Sequence, residues 1–532
     1  MVRGQYRKTG TREADIWFSS GCFKILTEFD NVKCVRQKPG ALLSVIMRRT
    51  RIFRKGMDSM KKEEYAGMQN AGQRLLTRIV EPKQQIPEER KRFSNRDLKN
   101  LIVPIVVEQF LALSVGIMDT LMVSYVGEAA VSGVSLVNQL NNVFIMVFNA
   151  LASGGAVVAS QYVGSGNREK GIDSASQLVM TVALVSLLMQ GIVLLAGRQI
   201  FSILFGKVEA DVLEAGMVYL RISACSFLFL AVYNACAGLF RSMGKTKLIM
   251  KVSILMNAIN VIGNIIGVFV LHAGVAGVAM PSLISRVFAA SAMFFFSLDG
   301  KNQIYVKLSR VFAWDRDMIR RIFHIAIPNS VESGLFQLAK VALSSIVAMF
   351  GTMQIAANGI AQTFWSMASL FCSAMGPAFI TVIGQYMGAG DKEGAEYYMK
   401  KMLRLTYLGG ILWNFVFFLL APLVLRFYSL GGGTVQLILL LVVLHNTFNA
   451  LICPVAFSVS NGMRAAGDVR FTMYASIFAT VVCRTSLAVL FGVVCHLGVV
   501  GVTLAMICDW AIKASLILFR WKSGRWKAYQ VI

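Results

Sequence analysis

After residue 100 the chain becomes a succession of apolar runs of about 20 residues, each long enough to cross a hydrocarbon core as a helix. Backbone in lipid has to satisfy its own N–H and C=O groups, so such runs fold as helices. A β-barrel would show shorter, alternating segments instead. Composition agrees. Of 532 residues, 56% are hydrophobic and 15% charged, against about 25% charged in soluble domains. The expected fold is an all-α integral membrane protein. Twelve transmembrane helices are predicted, near 101–124, 136–162, 174–196, 212–240, 248–271, 276–298, 320–349, 354–385, 396–420, 433–460, 470–494 and 499–519.

A seven-residue stretch occurs twice. Gln161-Tyr162-Val163-Gly164-Ser165-Gly166-Asn167 returns in the second half of the chain as Gln385-Tyr386-Met387-Gly388-Ala389-Gly390-Asp391. Pro104 and Glu108 match Pro328 and Glu332 at the same offset, Gly127 matches Gly351, and Gly274 and Gly277 match Gly498 and Gly501. The chain therefore reads as two six-helix halves, 96–298 and 320–520, joined by a loop at 299–319. An even number of spans per half makes the repeats parallel, related by an axis along the membrane normal. Each Gly-x-Gly follows one apolar run and precedes another, so it marks a turn needing positive φ. A nucleotide-binding loop would need a preceding strand.

Net charge is +25. Residues 1–100 hold 23 Lys/Arg against 11 Asp/Glu. A basic balance can mean nucleic acid, but most of the remaining positive charge lies in one set of short loops, as membrane topology requires. Those loops hold Arg168, Lys170, Arg241, Lys245, Lys247, Lys301, Lys307, Arg310, Arg316, Lys392, Arg464 and Arg470; the opposite set holds only Arg198, Lys207 and Arg426. The repeated turns, both termini and the 521–532 tail are thus expected in the cytoplasm. Residues 1–95 read as a basic extension apart from the bundle. They lack the apolar run of a signal peptide. Disorder, rest on anionic lipid, or a gene start placed too far upstream of Met60 would each explain them; a dispensable tail is favoured. The nine cysteines lie scattered, no Cys-x-x-Cys pair occurs and only four His are present, so no metal, cofactor or disulfide framework is expected.

Ionisable groups inside a span cost roughly 2.5–3.5 kcal/mol each on insertion scales, so each needs a reason. Lys513, near the inner end of its span, is expected to snorkel. Glu108 and Glu332, each four residues after a proline, are repeat mates. Their placement suggests that Pro104, Glu108 and Pro328, like Gly164, Gly166, Gly388 and Gly390, serve structure or gating. Glu332 also has Lys340 about 12 Å further along its helix, so the two are candidates for a substrate cavity. Asp119 has no acidic mate; Leu343 stands there. In the fifth span Asn257, Asn260 and Asn264 recur at i, i+3 and i+7, an amide stripe on one helix face. Asn264 and Asp119 fall at similar depth. An acid beside amides at one depth suits a proton or small cation, and a plain helix-packing network is the competing reading.

These residues resemble the multidrug and toxic compound extrusion (MATE) family. The resemblance rests on Met118-Asp119-Thr120 and Val126-Gly127 around the first span and on the paired Gln-Tyr-x-Gly turns. It also rests on Phe240-Arg241-Ser242-Met243-Gly244 with Met463-Arg464-Ala465-Ala466-Gly467. It covers about residues 95–520. It implies two six-helix lobes forming a V, and export of organic cations in exchange for H⁺ or Na⁺. Asp119 matches the family's first-span coupling aspartate. Asn260 to Asn264 resembles a fifth-span Asn-x-x-x-Asp motif with Asn264 in place of the acid. No acid occurs in the tenth span, 433–460, and Lys340 and Arg484 suit a purely cationic ligand poorly, so zwitterionic or anionic substrates stay open.

The leading expectation is a secondary antiporter of the cell membrane, not an enzyme, coupled to H⁺ or Na⁺. It would export amphipathic drugs or metabolites by alternating access, as a monomer, with the bilayer and a small molecule as partners and no nucleic acid. The alternatives are a lipid-linked oligosaccharide flippase of a related branch and a non-transporting membrane scaffold. No Walker motif is present, which argues against ATP as the energy source.

Overall fold

The computed structural model describes residues 79–206, 209–426 and 431–532; what the sequence suggests for residues 1–78 lies outside them. Residues 80–532 form one unit. Its helices are α1 Asn95–Ser124, α2 Glu128–Ser165, α3 Arg168–Phe205, α4 Ala210–Cys225 plus Phe227–Ser242, α5 Thr246–Val270 and α6 Ala276–Ser297. The second half supplies α7 Arg316–Ala348, α8 Thr352–Gly388, α9 Lys392–Leu425, α10 Gly432–Ala466, α11 Val469–Val494 and α12 Gly498–Lys522. With the bent pair α4 counted as one, twelve helices are long and apolar enough to cross a membrane. They extend past the apolar runs because polar residues cap them. Ahead of α1, Ser94 and Asp97 form a capping box, each side chain taking the other's backbone N–H. This starts α1 well before Leu101, where hydropathy alone begins it.

The repeated heptapeptide does a different job at each position. Gly166 and Gly390 end the turn with φ +74, a left-handed conformation costing other residues roughly 1–2 kcal/mol. Asn167 and Asp391 cap the following helix by accepting the N–H of Lys170 (3.1 Å) and Gly394 (2.9 Å). Gly164 and Gly388 are still helical, and their need is space. A Cβ on Gly164 would run into the backbone of Gln385, and one on Gly388 into that of Gln161. These glycines therefore let α2 of the first lobe and α8 of the second cross at backbone contact. The glutamines reach over the crossing: Gln161 Nε2 donates to the Ala465 carbonyl ending α10, and Gln385 Nε2 to the Ser242 carbonyl ending α4, each at 2.7 Å. Thr381 donates to the Arg241 carbonyl (2.9 Å) and Arg321 to the Tyr162 hydroxyl (2.8 Å). Among the described residues, these four hydrogen bonds join the spans of the two lobes, and all lie toward the end that carries the basic loops.

Two non-membrane segments brace that same end. The loop before α7 lies on α3, with Arg310 bound to Glu169 (2.6 Å) and Asp173 (2.5 Å) and Gln177 donating to the Arg310 carbonyl (2.8 Å). Residues 80–94, before α1, lie in the corresponding way on α9. Arg90 binds Asp391 and Glu393, Lys401 binds Glu81 (2.6 Å), and the Tyr398 hydroxyl donates to the Phe93 carbonyl. This corrects the expectation that residues up to 95 stand apart from the bundle: residues 80–94 are seated on the second lobe. The segment carries no apolar run because it is held by charges whose partners lie far along the chain, in the second half. The C-terminal tail also packs, with Trp526 fully buried and Lys527 paired to Glu396.

Candidate functional site

Between the lobes lies a cavity of about 680 Å³. Its walls come from both halves: α1, α2, α4, α5 and α6 on one side, α7, α8 and α10 on the other. Its first-lobe wall holds the acid singled out from the sequence. Asn264 Nδ2 donates to Asp119 Oδ1 at 2.6 Å and also approaches Asn260 Oδ1 at 3.3 Å. Asn260 Nδ2 donates to Ser282 Oγ on α6 (2.9 Å). Asn257 lines the cavity one turn away. The amide stripe thus faces inward, and Asn264 and Asp119 meet as their common depth suggests.

Two features of this wall were not read from the sequence. Arg286 of α6 lies within electrostatic reach of Asp119. Its Nη1 donates to Ser226 Oγ at 2.6 Å, where α4 bends by 45°. Around Asp119 the protein therefore presents donors, the Asn264 amide NH₂ and a guanidinium. Asn264 Oδ1 is buried without a protein partner. Only the packing of α6 on α1 and α4 connects Arg286 to the acid.

Glu108 and Glu332 prove equivalent in a way the prolines do not explain. Glu108 is paired with Arg241 at the end of α4, and Glu332 with Arg464 at the end of α10. Each half thus ties its first span to its fourth. The two arginines sit in the paired motifs ending with Gly244 and Gly467, so the repeat marks them as mates of each other but not as partners of the acids. Both arginines and Glu108 line the central cavity. Glu332 lines a neighbouring pocket of about 180 Å³, together with Lys513. Lys513 does not snorkel. It is buried, 3.4 Å from Glu332 and 4.5 Å from the Phe457 ring centroid, because Glu332 supplies an anion that snorkelling would forfeit. Lys340 does not share a pocket with Glu332; it lines a third one of about 70 Å³ with Arg484 and His445. Arg484 and Asp509, each 2% exposed, form an ion pair at 2.7 Å.

A chain of two parallel six-helix halves enclosing a polar cavity, with an acid on one wall, has the architecture of a membrane carrier. The family model MatE matches residues 104–266 and 328–490, two stretches in the same register as the paired heptapeptides. The chain belongs to this family, the multidrug and toxic compound extrusion transporters. Among its relatives, the uncharacterized transporter YisQ of Bacillus subtilis is 27% identical over 81% of this chain and 94% of its own. The probable multidrug resistance protein NorM of Thermotoga maritima is 23% identical over 85% and 96%. The fold matches solved structures. An outward-facing conformation of a multidrug resistance MATE family transporter gives a TM-score of 0.75 at 18% identity, covering 84% of this chain and 99% of that one. MATE in the straight conformation gives 0.75 at 19%, covering 81% and 96%.

Proposed function

We propose that the chain exports amphipathic small molecules in exchange for protons by alternating access of the central cavity. The observation that carries this reading is Asp119, placed on the wall of an inter-lobe cavity and held by Asn264 at 2.6 Å. Ionised, a carboxylate inside a span needs water or a counter-charge, which Arg286 supplies only in part; protonation removes the need. The two forms favour different degrees of water entry, and that difference is what lets a gradient bias one lobe arrangement over another. The Arg286 guanidinium within electrostatic reach of Asp119 supports a proton over Na⁺, because it repels a bound cation.

The excess of Lys and Arg in one set of loops supports a cytoplasmic location for the end carrying both heptapeptide turns. The inter-lobe hydrogen bonds would then close the cavity on the cytoplasmic side. The names of the relatives, multidrug resistance proteins, support a broad set of exported drugs. The test is a susceptibility and efflux panel in a pump-deficient host, followed by efflux in Na⁺-free everted vesicles. Export should persist without Na⁺ and stop when the pH gradient is collapsed. Export that requires Na⁺ and ignores the pH gradient would contradict proton coupling.

A further inference from the structure

The small second-lobe pocket is the repeat counterpart of the Asp119 site. In the register set by the paired heptapeptides, Leu343 stands at the position of Asp119, Arg484 at that of Asn260 and Met506 at that of Ser282. All three line the 70 Å³ pocket. The fold has therefore built the same niche twice with different chemistry on its walls. Where the first lobe places an acid and an amide, the second places an aliphatic side chain and a guanidinium.

Lys340 of α7, Asn358, Gln362 and Trp365 of α8 and His445 of α10 supply polar groups to the rest of the lining, beside apolar residues such as Phe336 and Val502. No carboxylate is among the lining residues. Asp509, the acid bound to Arg484, holds it from behind at 2.7 Å and takes the Thr480 hydroxyl at 3.2 Å. His445 is 1% exposed and Arg484 2%. Both ring nitrogens of His445, Arg484 Nε and Trp365 Nε1 are buried with no protein partner. Leaving such groups unpaired is costly. Arg484 Nε and Trp365 Nε1 can only donate, Lys340 can only donate, and imidazole offers at least one N–H. An acceptor carrying negative charge suits these donors.

We propose that this pocket is an anion subsite that takes the carboxylate of an exported molecule. The volume admits a carboxylate group or a halide, not a whole drug-sized ligand, so the rest of such a molecule would lie outside it. One face of α7 gives the direction. Asn329 and Ser333 line the central cavity, Ser333 and Phe336 the middle pocket, and Phe336, Lys340 and Ser344 the small one. From Ser333 to Lys340 is about 10 Å along the helix, within reach of an amphipathic molecule whose other end occupies the central cavity. The assignment of the anion to a transported molecule rests on the transport reading above; the binding of an anion does not.

The test uses the purified full-length chain in detergent, titrated separately with sodium benzoate and sodium chloride, with neutral benzamide as the control and thermal stability as readout. Benzoate should give a saturable stabilisation, about tenfold or more weaker in Lys340→Gln, which removes one charge-assisted partner. Arg484→Lys, which keeps the charge beside Asp509, should also weaken it. Asp119→Asn in the other lobe should leave the benzoate curve in place while abolishing gradient-driven export. No saturable benzoate effect, or one unchanged in both Lys340→Gln and Arg484→Lys, would overturn the subsite. Stabilisation by chloride alone would overturn its assignment to a carboxylate. Failure of benzoate binding alongside proton-driven export would sink the subsite and leave the transport reading standing. Binding without export would do the reverse.

Discussion

Single side chains in this molecule fall into those that need space, those that need a conformation and those that need a counter-charge. The heptapeptide separates the first two. Gly390→Ala keeps the packing and forces an L residue to φ +74, so it should cost about 1–2 kcal/mol. Gly388→Ala instead places a Cβ against the Gln161 backbone; the clash cannot be relieved by a rotamer, so the lobes must part or the protein must misfold. The checkable outcome is a modest drop in thermal midpoint for Gly390→Ala and a larger one, with loss of monodisperse protein, for Gly388→Ala. Counter-charges are sharpest at Arg484 and Asp509. Removing one partner of so buried a pair costs about 3–5 kcal/mol, so Asp509→Asn should be among the most destabilising conservative changes. A midpoint within a degree or two of the parent would show that the pair is not the buried unit described. At this scale the sequence was informative where the repeat could be read: Gly166, Gly390, Glu108 and Glu332 all stood out. It was silent on Arg241 and Arg464 as partners of those acids, because ion pairs so far apart along the chain leave no local pattern.

Whole elements follow hydropathy where lipid is the solvent and escape it where charges do the holding. All twelve spans were legible, since each apolar run is bounded by capping or turn residues. The 80–94 segment was not. It is a polar strap, and its attachment is predicted to depend on acid. Burial alone would raise the Asp391 carboxyl, but the Arg90 guanidinium and the Gly394 N–H hold it below its ordinary 3.8. For Glu81 burial likewise pulls upward, and Lys401 and Tyr397 outweigh it. A carboxylate depressed in the folded state contributes stability above its ordinary value and loses it as pH falls through the folded one. The strap should therefore stay seated at neutral pH and loosen below about pH 4. Limited acid-stable proteolysis between residues 80 and 94 reports this: cleavage should rise steeply on acidification, and Arg90→Gln should be cut more readily at neutral pH. Equal cleavage of parent and variant at pH 7 would mean that the strap is held by something other than these ion pairs.

The molecule as a whole is two copies of one six-helix plan whose interiors have diverged. Backbone features keep the register, down to positive φ at the repeat mates His272 and His496. The charged chemistry does not: an acid with amides faces the central cavity in the first lobe, and a guanidinium with a lysine fills the equivalent niche in the second. The repeat was visible in the sequence, as was the meeting of Asp119 with Asn264. The donor surroundings of Asp119 were not, because Arg286 reaches it from a helix whose rotation only tertiary packing sets. The central claim is that Asp119 alternates between protonated and ionised forms as the lobes exchange access. Its most direct measurement is substrate export by Asp119→Asn in proteoliposomes under an imposed pH gradient, beside substrate binding by the same protein. The account predicts normal insertion, retained binding and loss of gradient-driven export. Export at the parental rate under the same gradient would contradict it.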